Sequence, residues 1–132
     1  AGKNYNRGKL KEVLLECGLD LISMDKKLDT YSKGMRQKVG IAIALAKEAN
    51  VYLLDEPASG LDPLASTELS SILKKLSKSG AAILMASHDI FRIRETCDRI
   101  GILKNGELVK EMDTANVTTK ELENIYIEYM KD

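Results

Sequence analysis

The stretch VYLLDEPASGLD, residues 51–62, carries four apolar residues straight into two adjacent carboxylates, Asp55 and Glu56, and turns at Pro57. A short apolar run bounded by a turn signal reads as a buried parallel strand, Val51–Leu54. Open α/β folds bind their ligands at the carboxyl ends of such strands. The two acids are therefore expected at the edge of a sheet, where a ligand would meet them.

Helix and strand signals alternate on both sides of this strand. Upstream, the first thirty residues read as helical, with Leu10, Val13, Leu14 and Cys17 at helical spacing and Gly18 stopping the run. A polar stretch, DKKLDTYSKG, leads to Ser32, a good N-cap. The helix it opens runs through MRQKVGIAIALAKEA to Asn50, so densely apolar from Val39 to Ala46 that burial on most sides is expected.

Downstream, Asp62 caps a third helix with Pro63 at its first position, a favoured pairing. Leu69, Ile72, Leu73 and Leu76 line its inner face, and Gly80 closes it. AAILMAS then reads as a second apolar strand running into His88, followed by a short helix from Asp89 to about Thr96. RIGILKNGELVKE reads as a hairpin about the type I′ signal Asn105-Gly106. Thr118 and Glu121 form a capping box for a last helix whose stripe is Leu122, Ile125, Tyr126, Tyr129 and Met130. The alternation predicts an α/β fold built on a parallel sheet, with the hairpin as an antiparallel edge.

Composition bounds the partners. The 132 residues are 44% hydrophobic and 30% charged, which is globular rather than disordered. Twenty basic residues balance twenty acidic ones without a block of either sign, so no nucleic-acid partner is expected. The longest apolar stretch, GAAILMA, is far too short to span a membrane, and no charged-then-apolar leader opens the sequence. Cys17 and Cys97 form no CxxC pair and have one histidine to join them, so both read as reduced cysteines packed as small hydrophobes in a cytosolic setting.

The chemistry concentrates at three places. At the end of the first strand, one carboxylate could hold a hydrated Mg²⁺ ion while the next orients and deprotonates water, a division that suits phosphoryl transfer. An acidic strand end that only caps a turn is the competing reading. His88 ends the second strand, one strand–helix–strand crossover after Glu56, and two parallel neighbours would bring both to one crevice. A lone histidine is also commonly structural. YSKGM, residues 31–35, precedes a helix N-terminus, where a hydroxyl and free N–H groups can meet an anion or merely cap the helix.

Taken together, YSKGMRQKVGIAIALAKEANVYLLDEPASGLDP and ILMASHD resemble the ATP-binding subunit of ABC transporters, collinearly from about residue 30 to 110. The resemblance makes Tyr31–Met35 the signature motif, Val51–Asp55 the Walker B strand and Ser59–Asp62 the D-loop. It implies a P-loop NTPase-like three-layer parallel sheet, partial, with a helical-subdomain remnant and a C-terminal hairpin plus helix. Its boundaries are 1–48 for the helical part with the signature, 49–112 for the catalytic core portion and 113–132 for the last helix. Glu56 and His88 become the catalytic residues, Asp55 the Mg²⁺ ligand, and Ser32, Gly34 and Asp62 the ATP contacts. The implied partners are a second nucleotide-binding subunit and transmembrane permease subunits, at the cytoplasmic face of the membrane.

The sequence also departs from the family. Lys33 and Met35 replace one glycine and the glutamine of the usual Leu-Ser-Gly-Gly-Gln signature, a form similar to bacterial ABC-2-like exporters. The P-loop pattern GxxxxGK[ST] does not occur. The nearest approach, GKNYNRGKL from Gly2, has one residue too many and Leu10 where a hydroxyl should bind Mg²⁺. The sequence thus corresponds to the C-terminal part of such a domain, expected to be inactive by itself and to self-associate. In the family it resembles, the P-loop strand lies between the strands of AAILMAS and IGILK. Two other readings compete. A chromosome-maintenance (SMC-type) lobe would need sustained heptads before Tyr31, which are lacking. A non-catalytic partner that keeps only the signature would have no use for Asp55, Glu56 and His88 together.

Overall fold

A computed structural model describes residues 6–131 of the chain, and they divide into two units between Ala86 and Ser87. The first unit opens with helix α1 (Arg7–Glu16), capped by Asn6, whose Oδ1 accepts from the Lys9 N–H at 2.8 Å. Gly18, at φ 75°, ends it as the sequence signal required. A single turn, α2 (Leu21–Met24), and a 3₁₀ turn (Leu28–Thr30) lead to α3 (Lys33–Ala46), strand β1 (Val51–Asp55), α4 (Pro63–Lys78) and β2 (Ala82–Ala86).

The helical part is held by α1 on α3. Val13, Cys17 and Ala42 form its buried centre, with Leu14, Ile41, Leu45, Ala46 and Ile72 packed around them. Lys38 of α3 reaches the end of α1, where its Nζ donates to the Gly18 carbonyl at 2.7 Å, and it pairs with Glu68 of α4 at 3.8 Å. One lysine thus satisfies a carbonyl at a helix end, where intrahelical partners run out, and ties three helices together.

Two expectations about α3 need correction. The helix ends at Ala46 rather than near Asn50, because Glu48 adopts left-handed backbone at φ 48° and breaks the hydrogen-bond ladder. It is not buried on most sides either: only Ala42 is fully buried and Ile43 is 55% exposed. Its packing partners lie along one side, so the apolar run is only partly used among the described residues.

β1 and β2 pair in parallel, from Val51↔Ala82 through Asp55↔Ala86, with α4 as the crossover between them. The expected parallel pairing holds, but full burial does not. Tyr52 is buried, and Leu54, Ile83 and Met85 are half-buried on the same face, while Val51, Leu53 and Leu84 stand 60%, 74% and 69% exposed on the other. A helix covers one face only. α4 itself follows its sequence signals, with the Asp62 cap, Pro63 at its start and Leu69 and Leu73 buried.

The second unit comprises α5 (Ile90–Thr96), β3 (Arg99–Lys104), β4 (Glu107–Asp113), a 3₁₀ turn (Thr114–Asn116) and α6 (Thr119–Met130). Asn105 and Gly106 both take positive φ, 52° and 83°, as a type I′ turn demands. Ile100, Val117 and Leu122 form the core, joined by Ile90, Ile93, Met112 and Ile125. Thr118 and Glu121 make the reciprocal capping box read from the sequence. Of the expected α6 stripe, Tyr126 and Met130 stand exposed, because the hairpin meets only the Leu122 and Ile125 side. The hairpin is a two-stranded sheet of its own, not an edge of the parallel one.

Both cysteines are free thiols, Cys17 buried and Cys97 half-buried. Burial pushes the Cys17 thiol up to about 11, with Glu16 adding to the rise and Lys38 opposing it. The thiolate is the reactive form. At pH 8, iodoacetamide is therefore expected to label Cys17 at least about tenfold more slowly in the folded chain than in guanidinium. Peptide mapping of the labelled products checks this, and equal rates would mean that the α1–α3 contact does not form.

Candidate functional site

The site grows from two turns of the first unit. One begins at Tyr31, whose ring is buried and whose hydroxyl donates to the Ser23 carbonyl at 2.6 Å. That bond anchors the chain immediately before Ser32. Ser32 is exposed and caps α3, its Oγ accepting from the Met35 N–H at 3.2 Å. Lys33 and Gly34 follow in the first helical turn, where unpaired N–H groups and the helix dipole favour an anion.

The other turn ends β1. Asp55 closes the strand opposite Ala86 and is exposed. The Glu56 N–H donates to the Ala86 carbonyl at 2.9 Å, so the ladder runs one residue past the strand. Glu56 then takes φ 45°, left-handed backbone in a residue that is not glycine. Such a conformation costs about 1–3 kcal/mol and persists only where its surroundings enforce it. It also removes Glu56 from strand alternation, so the two acids need not face opposite sides of the sheet.

The loop from Pro57 to Leu61 joins the two turns. It is a compact coil, with the Ser59 N–H on the Glu56 carbonyl at 3.0 Å and the Leu61 N–H on the Ala58 carbonyl at 3.1 Å. Gln37 Nε2 donates to the Pro57 carbonyl at 2.8 Å, tying the loop to α3. A β-carbon on Gly34 would stand 3.4 Å from the Gly60 carbonyl oxygen, so helix and loop are in close contact there as well. Asp62 follows, its Oδ1 accepting from the Ala65 N–H at 2.9 Å as the cap of α4.

The first unit thus gathers Ser32, Gly34, Asp55, Glu56 and Asp62 around one loop. His88 falls just beyond β2, in the second unit, exposed and with its carbonyl accepting from the Ile90 N–H at 3.1 Å. The rejected phosphate-loop reading at Gly2 lies partly outside the described residues, and from Arg7 onward that stretch is α1. Gln37 was not singled out from the sequence. Its signal was spacing: with Lys33 and Gly34 it shares one helix face, the face turned to the loop.

Among the described residues no three His, Cys, Asp or Glu side chains gather to hold a metal ion by themselves. The available donor set is the exposed Asp55 carboxylate. A single carboxylate suits Mg²⁺, which keeps most of its waters and takes further oxygens from phosphates, and does not suit a fully caged ion.

A family model described as "AAA domain, putative AbiEii toxin, Type IV TA system" matches residues 26–93, just over half of the chain. An ABC transporter ATP-binding protein of Nostoc sp. is 42% identical over 107 residues, covering 80% of this chain and 32% of the relative. The bacitracin transport ATP-binding protein BcrA of Enterococcus faecalis is 35% identical over 116 residues, covering 84% and 38%. The chain spans about a third of the length of these curated relatives. Among solved structures, a dimeric post-hydrolysis ATP-binding cassette bound to ADP and Pi superposes with a TM-score of 0.78 at 28% identity, over 86% of this chain and 51% of that one. The ATP-binding subunit of an ABC transporter does so with a TM-score of 0.80 at 28% identity, over 97% and 57%.

The strained turn gives a direct test. Glu56→Gly and Glu56→Ala delete the same carboxylate but differ in tolerance of positive φ. Urea unfolding is expected to find the glycine variant more stable by about 1 kcal/mol, since glycine adopts this backbone without the penalty. An alanine variant of equal or greater stability would contradict the left-handed turn.

Proposed function

We propose that this chain, which matches the AAA-domain family and belongs with the ATP-binding proteins of ABC transporters, is the signature- and carboxylate-bearing portion of an ATP-hydrolysing subunit that powers membrane transport. The observation that carries the reading is the joining of the Asp55–Glu56 strand end to the Ser32-capped turn of α3 through one loop. A turn-capping role for the two acids accounts for neither the left-handed Glu56 nor the helix N-terminus brought beside the same loop.

Each residue then has a part. Glu56, half-buried and displaced from strand alternation, orients the attacking water and takes its proton. Asp55 would hold Mg²⁺, which when bound neutralises charge on the phosphate oxygens. Ser32 offers its hydroxyl, and the first turn of α3 its N–H groups, to the γ-phosphate held by a partner subunit. Gly34 lets the loop come close at Gly60 and offers its own N–H to that phosphate. Asp62 fixes the start of α4 and thereby the end of the loop. His88 is assigned to a γ-phosphate contact by its place in the motif order.

The partners follow from the same reading. A second nucleotide-binding subunit completes two composite sites, and membrane-embedded permease subunits receive the work. No helix among the described residues is long and apolar enough to cross a membrane. Attachment to the cytoplasmic face would run through those permease subunits. By itself the chain would meet a further partner, another copy. Val51, Leu53 and Leu84 leave an apolar sheet face open, and β1 and β2 each keep an edge without a strand neighbour among the described residues.

Three measurements check these roles. The purified 132-residue chain is expected to release no phosphate from ATP with Mg²⁺, since its sequence holds no GxxxxGK[ST] loop to cradle the phosphates. In a protein joining this chain to such a loop, Glu56→Gln should cut turnover by at least about a hundredfold while ATP still binds. Turnover at the parent rate would remove Glu56 from the chemistry. Light scattering after size exclusion should give a mass above the 14.6 kDa monomer, restored towards monomer by Leu53→Lys and Leu84→Lys. A monodisperse parent monomer refutes the association.

A further inference from the structure

Lys33 is a departure from the usual signature, and its side chain has a definite place. A β-carbon on Gly60 would fall 2.7 Å from Lys33 Cδ, 3.0 Å from Cε and 3.3 Å from Cγ. The lysine stem therefore lies flat over Gly60 and fills the space a side chain there would occupy. Beyond it, Nζ reaches Ser59 Oγ at 3.4 Å, a long contact that adds little to the packing of the stem. One turn further along α3, Gln37 Nε2 holds the Pro57 carbonyl at 2.8 Å, and Pro57 is itself buried. Residues 33 and 37 lie on one helix face by their spacing. They grip the loop near its two ends.

We propose that Lys33 and Gln37 are positioning residues that fasten the Pro57–Leu61 loop to α3, so that the turn bearing Ser32 and Gly34 and the turn bearing Glu56 move as one body. The loop has internal hydrogen bonds from Ser59 to Glu56 and from Leu61 to Ala58, so it is a stiff coil that needs only points of attachment. Its far side is fixed by the Glu56 N–H on Ala86. A displacement at the start of α3 therefore reaches Pro57 through Gln37, and Glu56 through the adjoining peptide. Lys33 and Gly60 form a matched pair: any side chain at residue 60 needs the lysine stem to leave. The linkage rests on geometry alone, and only its bearing on turnover rests on the function proposed above.

The test uses the whole 132-residue chain, isotope-labelled, with amide hydrogen exchange read residue by residue. Alanine keeps α3 helical at both positions. Gln37→Ala should speed exchange of the Ser59 and Leu61 amides by about tenfold and shift the Glu56 amide resonance, with α1 and α6 amides unchanged. Lys33→Ala should speed the same loop amides by about threefold, whereas Lys33→Met and Lys33→Arg, which keep the stem, should stay near the parent. Loop exchange within twofold of the parent in the Lys33→Ala/Gln37→Ala double variant overturns the proposal, as does acceleration spread evenly over α1, α3 and the loop.

A thermal cycle provides an independent arm. Gly60→Ala should lower Tm in the parent, and Lys33→Ala should recover part of that loss while leaving the share due to the positive φ of Gly60, 78°. No recovery means the stem does not lie over Gly60, and the proposal fails. Neither measurement involves nucleotide, so an inactive site in the joined protein would count against the proposed function and leave this linkage standing.

Discussion

The parallel pairing of Val51–Asp55 with Ala82–Ala86 is the constraint from which the first unit follows. Parallel neighbours cannot be joined by a hairpin, so the chain must leave the end of β1, cross over, and return to the start of β2. α4 is that crossover, and it requires a sharp exit from β1 and a capped entry to the helix. Glu56 to Leu61 provides the exit, and Asp62 with Pro63 the entry. The in-step register also brings Asp55 level with Ala86, leaving the Ala86 carbonyl to receive the Glu56 N–H. The acids stand at the sheet's edge because of this pairing, and the turn that displays Glu56 is held by the same ladder.

Where the sequence could be read, it was read through local rules. Ser32, Asp62 and Thr118 each cap the helix they precede, Gly18 ends α1, and Asn105-Gly106 turns the hairpin. These depend on one to four neighbouring residues, and neighbours are what a sequence lists. The strand end at Asp55-Glu56 and the caps at Ser32 and Asp62 stood out for the same reason, as local features, whereas Gly34 and the role given to each of these residues came only with the family resemblance.

What escaped depended on contacts distant in sequence. The end of α3 turned on left-handed backbone at Glu48, a residue with no preference for it, as did the turn at Glu56. Glycine and asparagine announce positive φ, but glutamate does not. Burial also misled: Val39–Ala46 and Val51–Leu54 are apolar enough for cores on both sides, yet Ile43 and Leu53 stand in water. Apolar periodicity states which residues want cover, not whether cover is present. The grip of Gln37 on Pro57 was illegible because it joins positions twenty residues apart.

The open face of the parallel pair has a thermal consequence. The large heat-capacity increase on unfolding comes mostly from apolar surface newly wetted, and ordinary domains gain about 12–15 cal/mol/K per residue. Val51, Leu53 and Leu84 are already wetted in the folded monomer and contribute little to that increase. The monomer's heat-capacity change should be lower by about 1 cal/mol/K per residue than with that face covered, and its stability curve slightly flatter. Cooling would weaken it less steeply than a domain with both sheet faces covered, and heating would melt it over a wider span.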